Sequence, residues 1–469
     1  MTAMATMPVR FLNLVVPLAH EATALRITDT AGRCRAWSGA VSPLIGCGST
    51  SLRWSDLPRT IRRSTPRTPT MPGIRISTTA TRTTTTSQPS SAPVPSADYP
   101  VRHHADFTFQ DLVQAYLDCR QNKRNTASAL AFEQDMERNL AALCDELRAG
   151  TYLPGRSICF VITRPKPREV WAAEFRDRIV HHLFYNRISP RFYAAFIHDS
   201  CACIPGRGTL YAGQRLEAKI RSITQNWSVP AYYLKLDLAN FFVSIDKNVL
   251  HAQLAERITE PWWLWLAEVI LFHDPRQDFE YRGKVAMLDM VPPHKRLTSQ
   301  PAHLGLPIGN LSSQFFANIY LDALDQFAKH QIKARHYIRY VDDFILLHTS
   351  AQWLNAARVE IEAFLPRVLH AQVNPAKTIL QPLSRGVDFV GQVIKPGRRT
   401  IRRKTFNVAL ERVRGIDAVD LFKTANSYFG LLRQASHSHH DRTQLANILR
   451  RRGHCIAGDI TKTYRRKEA

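Results

Sequence analysis

The chain has 469 residues, of which 45% are hydrophobic and 22% charged, an ordinary globular composition with enough apolar material for a sizeable core. Lys and Arg number 63 against 39 Asp and Glu, so the net charge is +24, and a polyanion such as a nucleic acid is the first partner to consider. No apolar run approaches the ~20 residues a membrane span needs, which excludes a polytopic membrane protein, and no membrane partner is expected. The eight scattered cysteines, without a CxxC pair, fit neither a disulfide framework nor a zinc site and suit a reducing, cytoplasmic setting.

Residues 1–97 hold eleven arginines, no lysine and three acids (Glu21, Asp29 and Asp56), supplying +8 of the charge. Ser64–Pro100 is mostly Thr, Ser, Pro and Arg and can bury too little apolar surface to offset its ordering entropy, so residues 1–100 are expected to form a disordered tail. Phe11–Ala19 behind Arg10 is compatible with a short signal-peptide core, and the acid-poor composition with an organellar transit peptide. A leader from an over-early start codon is the third reading; a non-functional or accessory tail is favoured. Order is expected from Phe107. Apolar residues recur at helical spacing from Phe109 to Leu147, with Gly150 as the stop. Ser157–Thr163 reads as a strand, Glu174–Ile188 as a helix, Tyr232–Leu238 as a strand, Asn318–His330 as a helix, and Tyr337–His348 as two short strands around a turn. This mixture implies an α+β or α/β core.

The chemistry concentrates at Tyr340-Val341-Asp342-Asp343-Phe344, two adjacent carboxylates between β-prone stretches, as at the tip of a hairpin. Paired aspartates in a turn ordinarily satisfy backbone donors. A second acidic strand end shifts that balance: Leu234-Lys235-Leu236-Asp237 places Asp237 where an apolar strand runs out. Three converging carboxylates repel one another, and a hard cation such as Mg²⁺ relieves the repulsion. Two such ions ~4 Å apart can activate an attacking hydroxyl and stabilise the leaving oxygen in phosphoryl transfer.

With these motifs in order between Tyr152 and Lys395, the sequence resembles the reverse transcriptases. The resemblance implies an α+β right-hand polymerase fold: residues 101–230 as N-terminal helices and fingers, 231–395 as a palm of antiparallel sheet and helices, and 396–469 as a helical thumb. It implies that Asp237 and Asp342 ligate two Mg²⁺ ions, with Asp343 in support and Mn²⁺ able to substitute. Partners would be template RNA, a primer or cDNA strand, and dNTPs. Lys166 and Arg168, in Arg164-Pro165-Lys166-Pro167-Arg168, are the candidates to grip the triphosphate, although alone they would read as solvated loop charges. Arg207, between Gly206 and Gly208, is a candidate contact to template or nucleotide phosphates. Lys377, in Asn374-Pro375-Ala376-Lys377-Thr378, matches the lysine that can protonate departing pyrophosphate. Phe389-Val390-Gly391 resembles the primer grip, and the basic run from Arg398 to Lys404 should hold phosphates.

Gly305-Leu306-Pro307-Ile308-Gly309-Asn310-Leu311-Ser312-Ser313-Gln314 resembles the motif that lies against the nascent base pair. Gly309 lets backbone approach a nucleotide, and Ser312 or Ser313 could instead cap the following helix. Most relatives show Gln-Gly and then Ser-Pro. Ile308-Gly309 and Ser313-Gln314 instead resemble the diversity-generating retroelement enzymes, as do Val291–Lys295, Asn318–Leu321 and Asn426–Leu432. Those enzymes copy a template-repeat RNA with frequent errors opposite adenine, and the resemblance implies a small basic accessory variability protein as partner. Only about 75 residues follow the primer grip, room for a thumb but hardly for an RNase H, maturase or endonuclease domain. The alternatives are a group II intron-like, retron or abortive-infection enzyme, or a non-catalytic RNA-binding scaffold.

Phe242 lies five residues after Asp237, where the family keeps a bulky ring beneath the incoming sugar. A ring there clashes with a 2′-hydroxyl, the group that separates ribonucleotides from deoxynucleotides; a core aromatic is the other reading. Phe242→Ala is expected to raise ribonucleotide incorporation in primer extension, and unchanged sugar selectivity would remove the assignment.

Overall fold

The computed structural model describes residues 105–121, 126–164 and 166–465; the tail and targeting readings for residues 1–100 lie outside the described residues. The helical pattern from Phe109 resolves into α1 (Phe109–Gln121), α2 (Ala127–Glu133) and α3 (Met136–Ala149). Gly150 closes α3 with φ +70°, its N–H donating to the Glu146 and Leu147 carbonyls. Strands β1 (Ser157–Ile162) and β2 (Arg168–Ala172) pair antiparallel, and β4 (Phe279–Tyr281) later joins β1 in parallel. Helix α4 (Phe175–Ala195) outruns the expected end at Ile188 by passing through Pro190. Phe192, buried on the added turn, supplies packing that outweighs the bond lost at proline.

Next come α5 (Thr209–Ile223), β3 (Tyr232–Asp237), α6 (Phe241–Ser244), α7 (Lys247–Ala255) and α8 (Pro261–Phe272), and after β4 the helix α9 (Leu311–Gln326). The expected helix over Asn318–His330 begins earlier, with Asn310 at its cap position and Ser312 and Ser313 buried inside it, and ends in a π-helical turn over Phe327–Gln331. Strands β5 (His336–Tyr340) and β6 (Asp343–His348) form the expected hairpin, followed by α10 (Ala351–Leu369) and β7 (Ile379–Pro382).

The central sheet has the order β5-β6-β3-β7 and is antiparallel throughout. Alternation along its strands divides two cores. Leu234, Leu236, Phe344 and Leu346 pack with α9 and α10, whereas Tyr233, Ile338, Ile345 and Leu347 pack with Ala212, Leu216 and Ile220 of α5. The second core continues into a small sheet of β8 (Val387–Phe389), β9 (Gln392–Lys395) and β10 (Arg398–Ile401). Helices α11 (Arg403–Gly415), α12 (Ala418–Leu432) and α13 (His439–Arg451) share a separate core around Phe406, Leu421, Phe429 and Leu445, closed by the hairpin of β11 (His454–Ile456) and β12 (Thr463–Arg465). Among the described residues no helix is long and apolar enough to cross a membrane.

Candidate active site

Asp237 ends β3 directly opposite Asp343, which begins β6. Asp342 sits in the turn just before, and its carbonyl accepts from the Leu238 N–H at 3.2 Å. The acids read from distant parts of the sequence therefore meet at one end of the central sheet. Burial raises the pKa of Asp342, and the neighbouring Asp237 charge adds to the rise. Burial pushes Asp343 up to about 6, against the attraction of Lys235. Lys235 Nζ lies 2.9 Å from Asp343 Oδ2, and Lys377 Nζ donates to Asp237 Oδ1 at 2.5 Å. Local sequence delivers Lys377: Asn374 takes Asp237's carbonyl through its N–H (2.7 Å), and its side chain caps a short turn opened by Pro375.

Among the described residues, no group of three or more His, Cys, Asp or Glu side chains is arranged to hold a metal by itself. The donor chemistry nonetheless fits Mg²⁺, which takes one or two carboxylates and completes its shell with water and substrate phosphates rather than an all-protein cage. Asp343 Oδ1 is buried without a hydrogen-bond partner, an acceptor left over beside the Asp237 and Asp342 carboxylates. The two lysines supply positive charge to the cluster.

Beside the acids, Phe241 is buried and Phe242 only half-buried, its ring edge-on to Phe241 with centroids 5.4 Å apart. Phe241 lies within the main core, and Phe242 packs against that core while keeping part of its ring exposed. The loop holding Ile308 and Gly309 bridges this turn to β2. Leu306 N–H donates to the Phe242 carbonyl (2.8 Å), Trp171 N–H to the Ile308 carbonyl (2.7 Å), and Ala173 N–H to Asn310 Oδ1 (3.1 Å). Gly309, at φ +135°, passes so close that a Cβ would lie 2.7 Å from the Trp171 carbonyl oxygen. Asn310 is thus turned to the strand. Gln314 is exposed on the first turn of α9.

Lys166 and Arg168 are exposed, and the positive charge of Arg168, at the start of β2, favours the Asp342 carboxylate. Arg207 Nη1 donates to the carbonyls of Ile197 (2.8 Å) and Ser200 (3.0 Å), bracing its own loop.

Sequence reasoning missed what holds the hairpin. Arg339 on β5 is 1% exposed and makes a two-pronged pair with Asp325 of α9, at 2.7 and 2.6 Å. Its other donors reach Ser200 Oγ (3.0 Å), Asn318 Oδ1 (3.3 Å) and the Val341 carbonyl (3.1 Å), and Tyr337 donates to Asp325 at 2.7 Å. Val341 adopts φ +54°, a region β-branched residues avoid, so the hairpin tip is strained and Arg339 grips it from below. An Arg between Ile338 and Tyr340 in a short strand was the available signal.

Residues 164–394 match the family model described as reverse transcriptase (RNA-dependent DNA polymerase). This stretch is therefore a reverse transcriptase domain, with the mixed α+β architecture of a right-hand polymerase. No curated protein matches the sequence. Among solved structures, telomerase from Candida albicans in complex with a TWJ fragment of telomeric RNA aligns at 12% identity and TM-score 0.39, over 63% of this chain and 53% of that one. Telomerase from Candida tropicalis in complex with the same type of fragment aligns at 13% and 0.40, over 64% and 53%. Apo Candida tropicalis telomerase truncated from its C-terminal domain aligns at 14% and 0.37, over 51% and 53%. The chain spans about half the length of these structures.

Replacing Arg339 by methionine strands the Asp325 carboxylate in the core. Arg339→Met is expected to cost about 3–5 kcal/mol in denaturant unfolding, the penalty of an uncompensated buried charge. A loss below about 1 kcal/mol would show that the fork does not hold the hairpin.

Proposed function

We propose that the chain is an RNA-directed DNA polymerase, a nucleotidyltransferase that builds cDNA on template RNA from dNTPs, and that it is of the diversity-generating retroelement type. The observation that carries the first statement is the meeting of Asp237 and Asp342 at the end of the central sheet, inside the reverse transcriptase domain. These two carboxylates would hold Mg²⁺, two ions with Mn²⁺ able to substitute, and Asp343 supports them. When bound, the cation neutralises phosphate charge and makes the primer hydroxyl a better nucleophile.

The chain's own groups do the rest. Asp237 and Asp342 are fixed by the ladder beneath them, so their charge is in place before substrate arrives. Lys166 and Arg168 stay exposed and grip the triphosphate, as a mobile point charge and a flat fork respectively. The Lys377 side chain is 45% exposed, free to leave Asp237 and give a proton to departing pyrophosphate. Phe242 screens the sugar, while Gly309 and Gln314 border the nascent pair and template.

The retroelement type rests on Ile308-Gly309 and Ser313-Gln314. An amide at position 308 could hydrogen-bond near the nascent pair, whereas the aliphatic side chain only excludes volume. Loss of a polar check worth ~1–3 kcal/mol relaxes discrimination roughly ten- to hundredfold. The reading implies a template-repeat RNA, a small basic accessory variability protein, and a cytoplasmic site of action.

In primer extension on an RNA template with Mg²⁺, Asp342→Ala is expected to lose several kcal/mol of transition-state stabilisation, roughly a thousandfold in rate. Equal extension by wild type and variant would refute the polymerase reading. Ile308→Gln is expected to lower misincorporation opposite adenine roughly tenfold. An identical error spectrum would count against the retroelement reading alone.

A further inference from the structure

Lys235 interrupts the apolar run of β3, two residues before Asp237 and on the same face. Its side chain is 13% exposed. The ammonium lies 2.9 Å from Asp343 Oδ2, donates to the Asp388 carbonyl at 2.9 Å, and sits 6.0 Å from the centre of the Phe389 ring. Asp388 and Phe389 belong to β8, whose hairpin with β9 turns at Val390-Gly391. That turn is the stretch resembling the primer grip. Asp388 also reaches outward: its Oδ1 accepts from Arg402 Nε at 2.5 Å, and the Arg402 N–H donates to the Gly391 carbonyl at 3.1 Å. Arg402 occupies the cap position of α11.

The two turns share a weakness. Val390 has φ +46° and Val341 φ +54°, both β-branched residues in a region that disfavours them. Such conformations persist only where neighbours over-determine them. Arg339 and the β-ladder do so for Val341. For Val390, the tethers are Lys235 on one side of the turn and Arg402 on the other. Lys235 also differs in kind from Lys377. Lys377 rests on a single carboxylate from a half-exposed position, whereas Lys235 is enclosed and holds two acceptors at once.

We propose that Lys235 is a positioning residue that locks the second aspartate of the hairpin to the β8–β9 turn, and through Asp388 and Arg402 to helix α11, so that the acids and the primer-end segment keep one spacing. The inference rests on the polymerase reading for its purpose but not for the contact itself. It also gives Asp343 two tasks: Oδ1 stays an open acceptor beside Asp237 and Asp342, and Oδ2 ties their turn to β8.

The test compares full-length wild type with Lys235→Met, Lys235→Arg and Arg402→Met. Two readings are taken on each: hydrogen exchange across residues 387–392 without metal or substrate, and single-turnover extension of a DNA primer on an RNA template with Mg²⁺. In Lys235→Met, exchange at the turn is expected to rise roughly ten- to hundredfold, the loss of charge-assisted bonds to a buried partner. Extension is expected to fall about a hundredfold through misplacement of the primer end. Lys235→Arg, able to span the same two acceptors, should keep both readings near wild type. Exchange at 387–392 that matches wild type in Lys235→Met overturns the proposal, as does an arginine variant that behaves like the methionine one. Should Lys235→Met fail to fold, Arg402→Met carries the same decision, since it leaves all three aspartates untouched: faster exchange at the turn with slower extension supports the link, and unchanged values overturn it. A wild type as inert as Asp342→Ala would defeat the polymerase reading, while the exchange data would still decide the link.

Discussion

Gathering three carboxylates at the end of a buried sheet is electrostatically unfavourable, and the surrounding structure can be understood as the means of imposing it. The means is register. Leu234 and Leu236 must face α9 and α10 together with Phe344 and Leu346, while Tyr233 faces α5 with Ile345 and Leu347. A slip of one residue between β3 and β6 would reverse every one of these side chains. The apolar faces therefore fix Asp237 opposite Asp343, and the repulsion is overcome by packing free energy that has nothing to do with chemistry.

Positive charge is distributed around the acids in two manners. Arg339 and Lys235 are enclosed, hold several acceptors each, and act on backbone geometry as much as on charge. Lys166, Arg168 and Lys377 are exposed and can follow a substrate. The proposed phosphoryl transfer would call for both, because such a site needs its electrostatics set beforehand while a triphosphate enters and pyrophosphate leaves. The loop from Leu306 to Asn310 serves the rigid part, being sewn to the Phe242 turn on one side and to β2 on the other. Side chains presented by this loop thus keep a fixed relation to the Phe242 ring.

Much of this was legible in the residues. Asp237 at the end of an apolar strand, the Asp342-Asp343 hairpin and Gly150 as a helix stop all follow from local rules of alternation and capping. Arg207 shows where such rules end. Between two glycines it reads as a phosphate ligand, and only the fold shows that its Nη1 donates to the Ile197 and Ser200 carbonyls. The start of α9 went the same way: the serines that look like caps are buried within the helix, and Asn310, at the cap position, sends its side chain to Ala173.

The sequence by itself determined which residue types stand at strand ends and turns, because a period of two and a few turn residues are written within a handful of neighbours. It could not say that Arg339 pairs with Asp325, or that Lys235 spans Asp343 and Asp388. Alternation tells which face a side chain occupies, but which distant element covers that face is decided only when strands from separate parts of the chain take up a common register. The partners of buried charges are settled at that step, since a charge leaves water only where the assembled fold offers a counterpart.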